Sequence, residues 1–426
     1  MRELIAVLYE QPVGVLQQDD SGKRTFQYLP GIPTGLDVSL ALPYRQDAYQ
    51  KAKADPFIEG LVPEGVGVRE SFAQRFDISP SNPFALLEHI GLDCAGAIQF
   101  VRPDELDNVL QRKGGLVPYS DEKIGQRIRS LISEPDGSWV VNRERWSLGG
   151  AQSKFALRWE NGWHKASGAE PTTHIFKPGI HDFKDQALNE HLCLRTLGVV
   201  GLNVASTTYS EFDGASAIVV SRYDRISRDG RVIRLHQEDF CQATSTLPKR
   251  KYESNKGPNA LKIIRTLRDA RASEDEVKKF VEGLIGNYLL GAPDAHAKNY
   301  SVMLMPSGEV TLSPFYDIAS GLPYEHQTDD GFPAKNDGLR KAAMAISGER
   351  RFGKVERRHW EKFASDAGLD LSWLTEVIRY MATAIPEALV QIIDEEQAAI
   401  KGSDLPSRLM QPVTDLCQIS LGQLTG

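Results

Sequence analysis

The spacing of apolar and polar residues divides the chain into a strand-rich first half and a mainly helical second half. Alternating apolar positions in LIAVLYE and GVLQQDDSGKRTFQYL predict short strands at the start, and helices follow around 66–93. From 146 to 225 the pattern again predicts strands, including a hairpin closed by the turn at 160–162, with one helix in DQALNEHLCLRTLG. Beyond 236 it predicts helices, apart from one hairpin near 300–317.

This order of elements predicts an α+β protein with a two-lobed, protein-kinase-like fold. The N-terminal lobe is expected to be strand-rich with an extra N-terminal subdomain, and the C-terminal lobe all-helical. The turn residues of EPDGS place a domain boundary near 135–140. We predict an N-terminal subdomain at 1–138, the core of the N-terminal lobe at 139–235, and a helical lobe at 236–426.

Composition narrows the class of protein. Hydrophobic residues make up 41% and charged residues 25%, as in an ordinary globular protein, and the net charge of −7 argues against a surface devoted to nucleic acid. No apolar run approaches the roughly 18 residues of a membrane span, and the N-terminus lacks the features of a signal peptide. The scattered cysteines form no CxxC pair: Cys94, Cys193, Cys241 and Cys417. We therefore expect a protein of a reducing cytoplasm with no membrane partner.

Two basic segments leave alternatives open. The residues from 340 to 358 are equally consistent with a solvated helical face and with a surface for nucleic acid or a tRNA-bound substrate. The segment LPKRKYESNKGPN at 247–259 is read either as a flexible connection or as a loop that grips a substrate.

The sequence DAHAKN at 294–299 has the Asp-to-Asn spacing of a kinase catalytic loop. It follows a long amphipathic helix that opens with Ser273 and Glu276 in capping-box spacing. Two strand-like runs come next and lead to Asp317, which a hairpin would bring close to Asn299 as a second oxygen ligand for Mg²⁺. Lys298 is then placed to meet a transferring phosphate. An isolated Asp in a loop is more often a solvated turn residue, so the order of elements carries this prediction.

Further upstream, Lys177 ends the strand THIFK and Glu190 lies on the next helix, the order of the phosphate-pairing Lys and its Glu in kinases. Alternatively, both face solvent. Gly149 and Gly150 would let the backbone approach phosphates and Lys154 adds charge, although Gly-Gly is more often a plain turn.

Together these motifs resemble the HipA family of bacterial serine/threonine kinases, the toxins of HipA–HipB toxin–antitoxin pairs. The motifs SLGGAQSKFAL, THIFKPG, LNEH, VVSRYDR, HQEDFCQA, DAHAKNYSV and SPFYDI occur in family order. The region after 330 follows the family only loosely.

The resemblance implies a role for each matching residue. Asp294 matches the catalytic base, and Asn299 and Asp317 match the metal ligands for Mg²⁺. ATP-binding positions are Gly149, Gly150, Ala151, Gln152, Ser153 and Lys154 in the phosphate loop, Lys177 in its strand, Ser221, Arg222 and Tyr223 in the hinge, and His296, Ala297, Lys298 and Asn299 in the catalytic loop. Glu190 matches the ion-pair partner of Lys177. Ser221 stands where the family pattern has an acidic residue.

Ser147 matches the autophosphorylated serine whose modification ejects the phosphate loop. Its alternative is a solvent-facing strand residue. The resemblance further implies a HipB-like helix-turn-helix antitoxin and operator DNA reached through it. It also implies an aminoacyl-tRNA synthetase, such as glutamyl-tRNA synthetase, as a substrate whose phosphorylation blocks translation and promotes growth arrest and persistence. A small-molecule or lipid kinase, and an idle corepressor acting through the antitoxin, are the other readings. The sequence does not name the substrate, the phosphorylation state of Ser147 or the oligomeric state.

Overall fold

The computed structural model describes residues 1–135, 137, 139, 144–324 and 337–424. It separates into two compact units. The first contains Met1–Ile180, Ser210–Lys249 and Ser301–Thr311, and the second contains His181–Tyr209, Arg250–Tyr300 and the chain from Leu312 on. Residue 138, at the predicted boundary between 138 and 139, lies outside the described residues, and the three-part division stays a prediction.

The elements follow in chain order. Up to residue 180 they are β1 (Arg2–Leu8), β2 (Gln11–Gln18), β3 (Arg24–Tyr28), β4 (Tyr49–Gln50), α1 (Lys51–Leu61), α2 (Val66–Phe76), α3 (Pro83–Ile90), β5 (Asp93–Cys94), β6 (Gln99–Val101), α4 (Leu106–Leu110), β7 (Gly114–Pro118), α5 (Asp121–Ser133), β8 (Trp146–Ser147), β9 (Phe155–Trp159), β10 (Trp163–Gly168) and β11 (His174–Lys177). From there to 324 they are α6 (Gln186–Val199), β12 (Thr207–Phe212), β13 (Ala215–Ser221), β14 (Arg225–Arg228), β15 (Arg231–Arg234), β16 (Gln237–Asp239), α7 (Phe240–Ala243), α8 (Ala260–Asp269), α9 (Glu274–Leu289), β17 (Ser301–Leu304) and β18 (Val310–Leu312). The last are β19 (Lys341–Ile346), β20 (Glu349–Arg351), α10 (Arg357–Ala367), α11 (Leu371–Glu395) and α12 (Leu405–Gln423).

The first unit is built on two larger sheets. One has the order β4-β3-β2-β1-β6, and its alternating apolar residues, among them Leu4, Ala6 and Leu8, are fully buried. The other has the order β12-β13-β11-β9-β10-β7. The predicted hairpin at 160–162 is confirmed, because Asn161 and Gly162 have φ of 52° and 143° between the paired strands β9 and β10.

The second unit is helical around α6, α9, α11 and α12, which pack on one another. The Ser273 side chain caps α9 by accepting the Glu276 amide hydrogen, as predicted. The Glu276 carboxylate instead accepts the Leu312 backbone N–H at 2.6 Å and pairs with Lys279 at 2.6 Å. This contact ties the start of α9 to the residue that ends β18.

The helical reading of the basic residues from 340 to 358 is wrong over most of its length. Lys341–Ile346 and Glu349–Arg351 form an antiparallel hairpin, so the second unit is mainly helical but also contains this pair of strands. Ser347 and Gly348, at φ of 48° and 91°, make its tight turn. One arginine of the hairpin and two that follow it pair with local carboxylates: Arg351 with Glu349, Arg358 with Glu356 and Arg357 with Glu361. Such pairing favours a solvated surface over a dedicated nucleic-acid face.

Of the helices in the described ranges, none is long and apolar enough to cross a membrane. All four cysteines lie in the described ranges, and they are buried and outside any disulfide bond.

Candidate active site

The loop after α9 is folded back on itself by its own backbone. The Asp294 carbonyl oxygen accepts the His296 N–H at 2.7 Å and the Asn299 side-chain N–H at 2.8 Å, and the Asn299 backbone N–H bonds to the His296 carbonyl at 2.9 Å. His296, Lys298 and Asn299 are buried, whereas the Asp294 side chain is 59% exposed. The five-residue spacing therefore does bring Asp294 and Asn299 together, with the carboxylate left open to solvent.

The segment that carries Asp317 lies against this loop. The Tyr316 hydroxyl donates a hydrogen bond to the Lys298 carbonyl at 2.7 Å, which joins the residue before Asp317 to the residue before Asn299. Asp317 is half-buried and has φ of +59°, a left-handed conformation that is uncommon outside glycine and occurs at functional sites. The Asn299 amide and the Asp317 carboxylate, which are the two predicted oxygen ligands for Mg²⁺, thus lie on adjoining segments of the second unit.

In the first unit, the predicted phosphate loop is a closed turn. The Lys154 ammonium group donates to the Gly149 carbonyl at 2.9 Å and lies 4.8 Å from the ring centre of Trp139. Gly150 has φ of +95°, and its carbonyl accepts the Glu64 N–H at 3.0 Å. Ser153 donates to the Pro135 carbonyl at 2.8 Å, while Ala151 is exposed and Gln152 half-buried. The turn therefore presents backbone at its tip and anchors its two ends.

Ser147 is not a solvent-facing strand residue. Its side chain has no exposed surface, its hydroxyl donates to the Leu61 carbonyl at 2.7 Å, and its strand pairs in parallel with β5. Phosphorylation of the Ser147 hydroxyl therefore requires that β8 first move out of this buried position.

Lys177 and Glu190 occupy the predicted elements. Lys177 ends β11 opposite Ile218 of β13 and is buried in the first unit. Glu190 is buried on α6 of the second unit. Their pairing stays a prediction.

The hinge residues divide into two kinds. Ser221 ends β13 half-buried, and Tyr223 donates from its hydroxyl to Gln237 at 2.9 Å. Arg222 is buried, its backbone N–H bonds to the Thr173 carbonyl at 2.9 Å, and its guanidinium bonds to Asp224 at 2.8 Å. The guanidinium of Arg222 thus belongs to a network inside the first unit, and the assignment of this residue to the nucleotide site stays a prediction.

Sequence reasoning missed the buried ionic cluster to which Arg222 belongs. Asp93 accepts hydrogen bonds from Arg225 at 2.8 Å, Arg222 at 3.2 Å and Arg234 at 3.3 Å. Burial by itself raises the pKa of Asp93, but the three guanidinium groups outweigh burial and hold that pKa below its usual range. The recurrence of arginine in SRYDR and RVIRL was the available signal, but the partner Asp93 lies far away in sequence.

Sequence reasoning also missed a tyrosine in the loop at 247–259. The Tyr252 hydroxyl donates a hydrogen bond to the Asp294 carboxylate, and its ring meets the His296 ring edge-on at 4.8 Å. No periodicity or motif pointed to this contact, because it joins two irregular segments.

Comparison with known proteins places the chain among kinases. Residues 4–101 match the model of the HipA N-terminal domain, and residues 146–389 match that of the HipA-like C-terminal domain. The serine/threonine-protein kinase toxin HipA of Shewanella oneidensis is 31% identical over 364 residues, covering 80% of this chain and 79% of that protein. The protein Y4mE of Sinorhizobium fredii is 32% identical over 394 residues, covering 90% of each chain.

The fold has a solved counterpart. The structure of Shewanella oneidensis HipA with HipB and operator DNA matches with a TM-score of 0.79 at 24% identity, over 99% of this chain and 98% of that chain. The predicted two-lobed, kinase-like α+β fold is thereby confirmed.

Proposed function

The chain belongs to the HipA family of serine/threonine protein kinases, and from that premise we propose that it is the toxin of a toxin–antitoxin pair that transfers phosphate from ATP with Mg²⁺. The observation that carries the proposal is the folded loop from Asp294 to Asn299, with Asp317 tied to it through the Tyr316–Lys298 hydrogen bond. Phosphoryl transfer needs a carboxylate to orient the acceptor hydroxyl and oxygen ligands for the metal. This arrangement supplies both.

The residues present fit Mg²⁺ and ATP. The Asn299 amide nitrogen donates to the Asp294 carbonyl, and this bond does not use the side-chain oxygen, which is the atom that can bind magnesium. We assign that oxygen and the Asp317 carboxylate to the metal, which when bound neutralises charge on the phosphates. Asp294, exposed beside them, then orients the acceptor hydroxyl and accepts its proton.

For the nucleotide we propose Lys177, the turn from Gly149 to Lys154 and the catalytic-loop residues His296, Ala297, Lys298 and Asn299. The left-handed conformation of Gly150 supports this role for the turn, because such turns direct backbone N–H groups toward anions. Ser221, Arg222 and Tyr223 are proposed to form the hinge that holds adenine, and Glu190 to pair with Lys177.

We propose that autophosphorylation of Ser147 switches the kinase off. The buried hydrogen bond from Ser147 to Leu61 supports this direction. A phosphate of nearly two negative charges has no room in a fully buried site, so a modified segment cannot return to its place. The phosphate loop, which begins two residues later, would be displaced with it.

As partners we propose a HipB-like antitoxin, operator DNA reached through it, and glutamyl-tRNA synthetase as a protein substrate, in the bacterial cytoplasm. The relative with a solved structure is in complex with HipB and operator DNA, which supports the first two. The synthetase rests on family resemblance.

The decisive experiment compares the wild-type chain with Asp294→Asn and with Asp269→Asn, an exposed control at the end of α8. Each protein is incubated with labelled ATP and Mg²⁺, with and without glutamyl-tRNA synthetase, and phosphosites are mapped. We expect Asp294→Asn to lose about 100-fold or more of the rate, the control to lose none, and label to appear on Ser147. Full activity of Asp294→Asn refutes the assignment of the base. No phosphate transfer by the wild type to itself or to the synthetase would favour the idle corepressor.

A further inference from the structure

A hydroxyl group of the chain itself lies on the carboxylate proposed as the base. The Tyr252 hydroxyl donates to Oδ1 of Asp294. The Tyr252 ring packs edge-on against His296, with ring centres 4.8 Å apart and an interplanar angle of 84°. His296 is buried within the catalytic loop, so the aromatic ring has a fixed partner as well as the hydroxyl.

The turn that carries Tyr252 is fixed on two sides within the second unit. On one side, the Lys251 carbonyl accepts the Ala297 N–H of the catalytic loop at 3.3 Å. On the other, the Glu253 carboxylate accepts the Ala345 N–H of β19 at 2.7 Å. The turn closes through a hydrogen bond from Gly257 N–H to the Tyr252 carbonyl at 2.9 Å. The residues on both sides of Tyr252 are therefore tied to neighbouring segments, the first through its backbone carbonyl and the second through its carboxylate, and these contacts fix the position of the tyrosine.

Inside this turn the backbone at position 257 lies so close to the backbone at position 250 that residue 257 must be glycine. A Cβ atom on Gly257 would lie 1.9 Å from the Arg250 carbonyl oxygen, which is an impossible contact. The basic residues at 247–259 are thus not a loose connection around position 252. They form a compact turn whose geometry fixes the tyrosine next to the catalytic loop.

We propose that Tyr252 is a positioning residue for Asp294, an inference that rests on the proposed role of Asp294 as base. An aspartate side chain that is 59% exposed has a broad range of terminal torsion angles in solution. A hydroxyl that holds Oδ1 fixes this torsion and directs Oδ2 toward the acceptor hydroxyl. The tyrosine thereby does for the carboxylate what the third member of a catalytic triad does for its base.

The opposite reading is that Tyr252 fills the acceptor's position and must leave before substrate binds. The hydrogen bonds that anchor the turn on both sides of Tyr252 argue against such a movement. The two readings predict rate changes of opposite sign when the hydroxyl is removed, so one substitution separates them.

The test is Tyr252→Phe, with Tyr380→Phe as the matched control. The Tyr380 hydroxyl also donates to an oxygen of the second unit, the Val200 carbonyl at 3.2 Å, but from the exposed face of α11. The initial rate of autophosphorylation of the full-length chain is measured against the concentration of Mg·ATP. Thermal unfolding of each variant confirms that it is folded.

For Tyr252→Phe we expect the maximal rate to fall about tenfold, since a hydrogen bond to a charged group is worth that much, while the half-saturating ATP concentration stays unchanged. Tyr380→Phe should match the wild type. In an Asp294→Asn background, Tyr252→Phe should cause no further loss, because the group it positions is already gone.

An unchanged or increased maximal rate in Tyr252→Phe overturns the inference, and so does a phosphate found on Tyr252 itself. If Asp294→Asn is fully active, the proposed function fails instead. If Asp294→Asn is inactive and Tyr252→Phe is normal, only the inference about Tyr252 fails.

Discussion

Replacing Asp93 with asparagine removes the negative charge on which three buried arginines converge. The Asp93 side chain is 4% exposed and accepts hydrogen bonds from Arg225 at 2.8 Å and Arg222 at 3.2 Å. It also accepts the Thr172 N–H at 2.9 Å and hydroxyl at 2.7 Å. Asparagine keeps the volume but turns one acceptor oxygen into a donor facing cations.

The expected loss of stability follows from the positive charge of the buried arginines that Asp93→Asn leaves uncompensated. Wild type buries Arg222, Arg225 and Arg234 against Asp93 and Asp224, whereas the variant leaves three guanidinium groups with one carboxylate. Removing one partner of a buried ion pair costs about 3–5 kcal/mol, because the uncompensated charge remains buried. The free energy of unfolding of a typical domain is about 5–15 kcal/mol, so this loss would remove a large part of the stability.

The assay is urea unfolding at pH 7 followed by tryptophan fluorescence, with Asp104→Asn as control. Asp104 pairs with Arg102 at 3.6 Å, but its side chain is 73% exposed, so we expect a loss of at most about 1 kcal/mol. Because the pKa of Asp93 is lowered in the folded state, its contribution is present above the pKa of an unfolded aspartate, about 4, and is lost as the pH falls. A loss for Asp93→Asn no larger than that of the control would refute this account.

Three further predictions concern single groups. Burial raises the pKa of Glu238 to about 8, so wild-type stability should decline as the pH rises from about 4.5 to 8, and Glu238→Gln should flatten that decline in thermal unfolding. Gly150→Ala forces a φ of +95° on alanine and puts its Cβ 2.9 Å from the Lys154 ammonium nitrogen, so the half-saturating ATP concentration should rise several-fold. Tyr316→Phe removes the hydrogen bond to the Lys298 carbonyl and should raise the half-saturating Mg²⁺ concentration about fivefold, the equivalent of one hydrogen bond.

Each of these has a result that contradicts it. A wild-type stability that stays level between pH 5 and 8 contradicts the buried, protonated Glu238. The control for Gly150→Ala is Gly162→Ala, which lies in a hairpin turn with open space around it. If both substitutions changed the half-saturating ATP concentration equally, the proposed role of the turn from Gly149 to Lys154 in ATP binding would be contradicted. An unchanged magnesium requirement in Tyr316→Phe would mean that Asp317 is held without that bond.

Local sequence patterns were sufficient to predict most of the helices, strands and turns. The Asn161-Gly162 turn, the helix capped by Ser273 and the strand that ends at Lys177 form as predicted, since each depends on neighbours within a few residues. The hairpin at 341–351 was misread because arginine and lysine hid its short apolar run, although Ser347-Gly348 is a recognisable turn signal.

The sequence by itself determined the family to which the chain belongs and the residues predicted to carry its chemistry, which are the DAHAKN loop and the Asp317 that follows the hairpin. These depend on residue types at fixed spacings. Only the tertiary structure decided that Ser147 is buried, that Arg222 belongs to a buried ionic cluster, and that Tyr252 donates a hydrogen bond to Asp294. Each of these contacts joins residues dozens of positions apart, and neither periodicity nor local propensity contains information about such pairs.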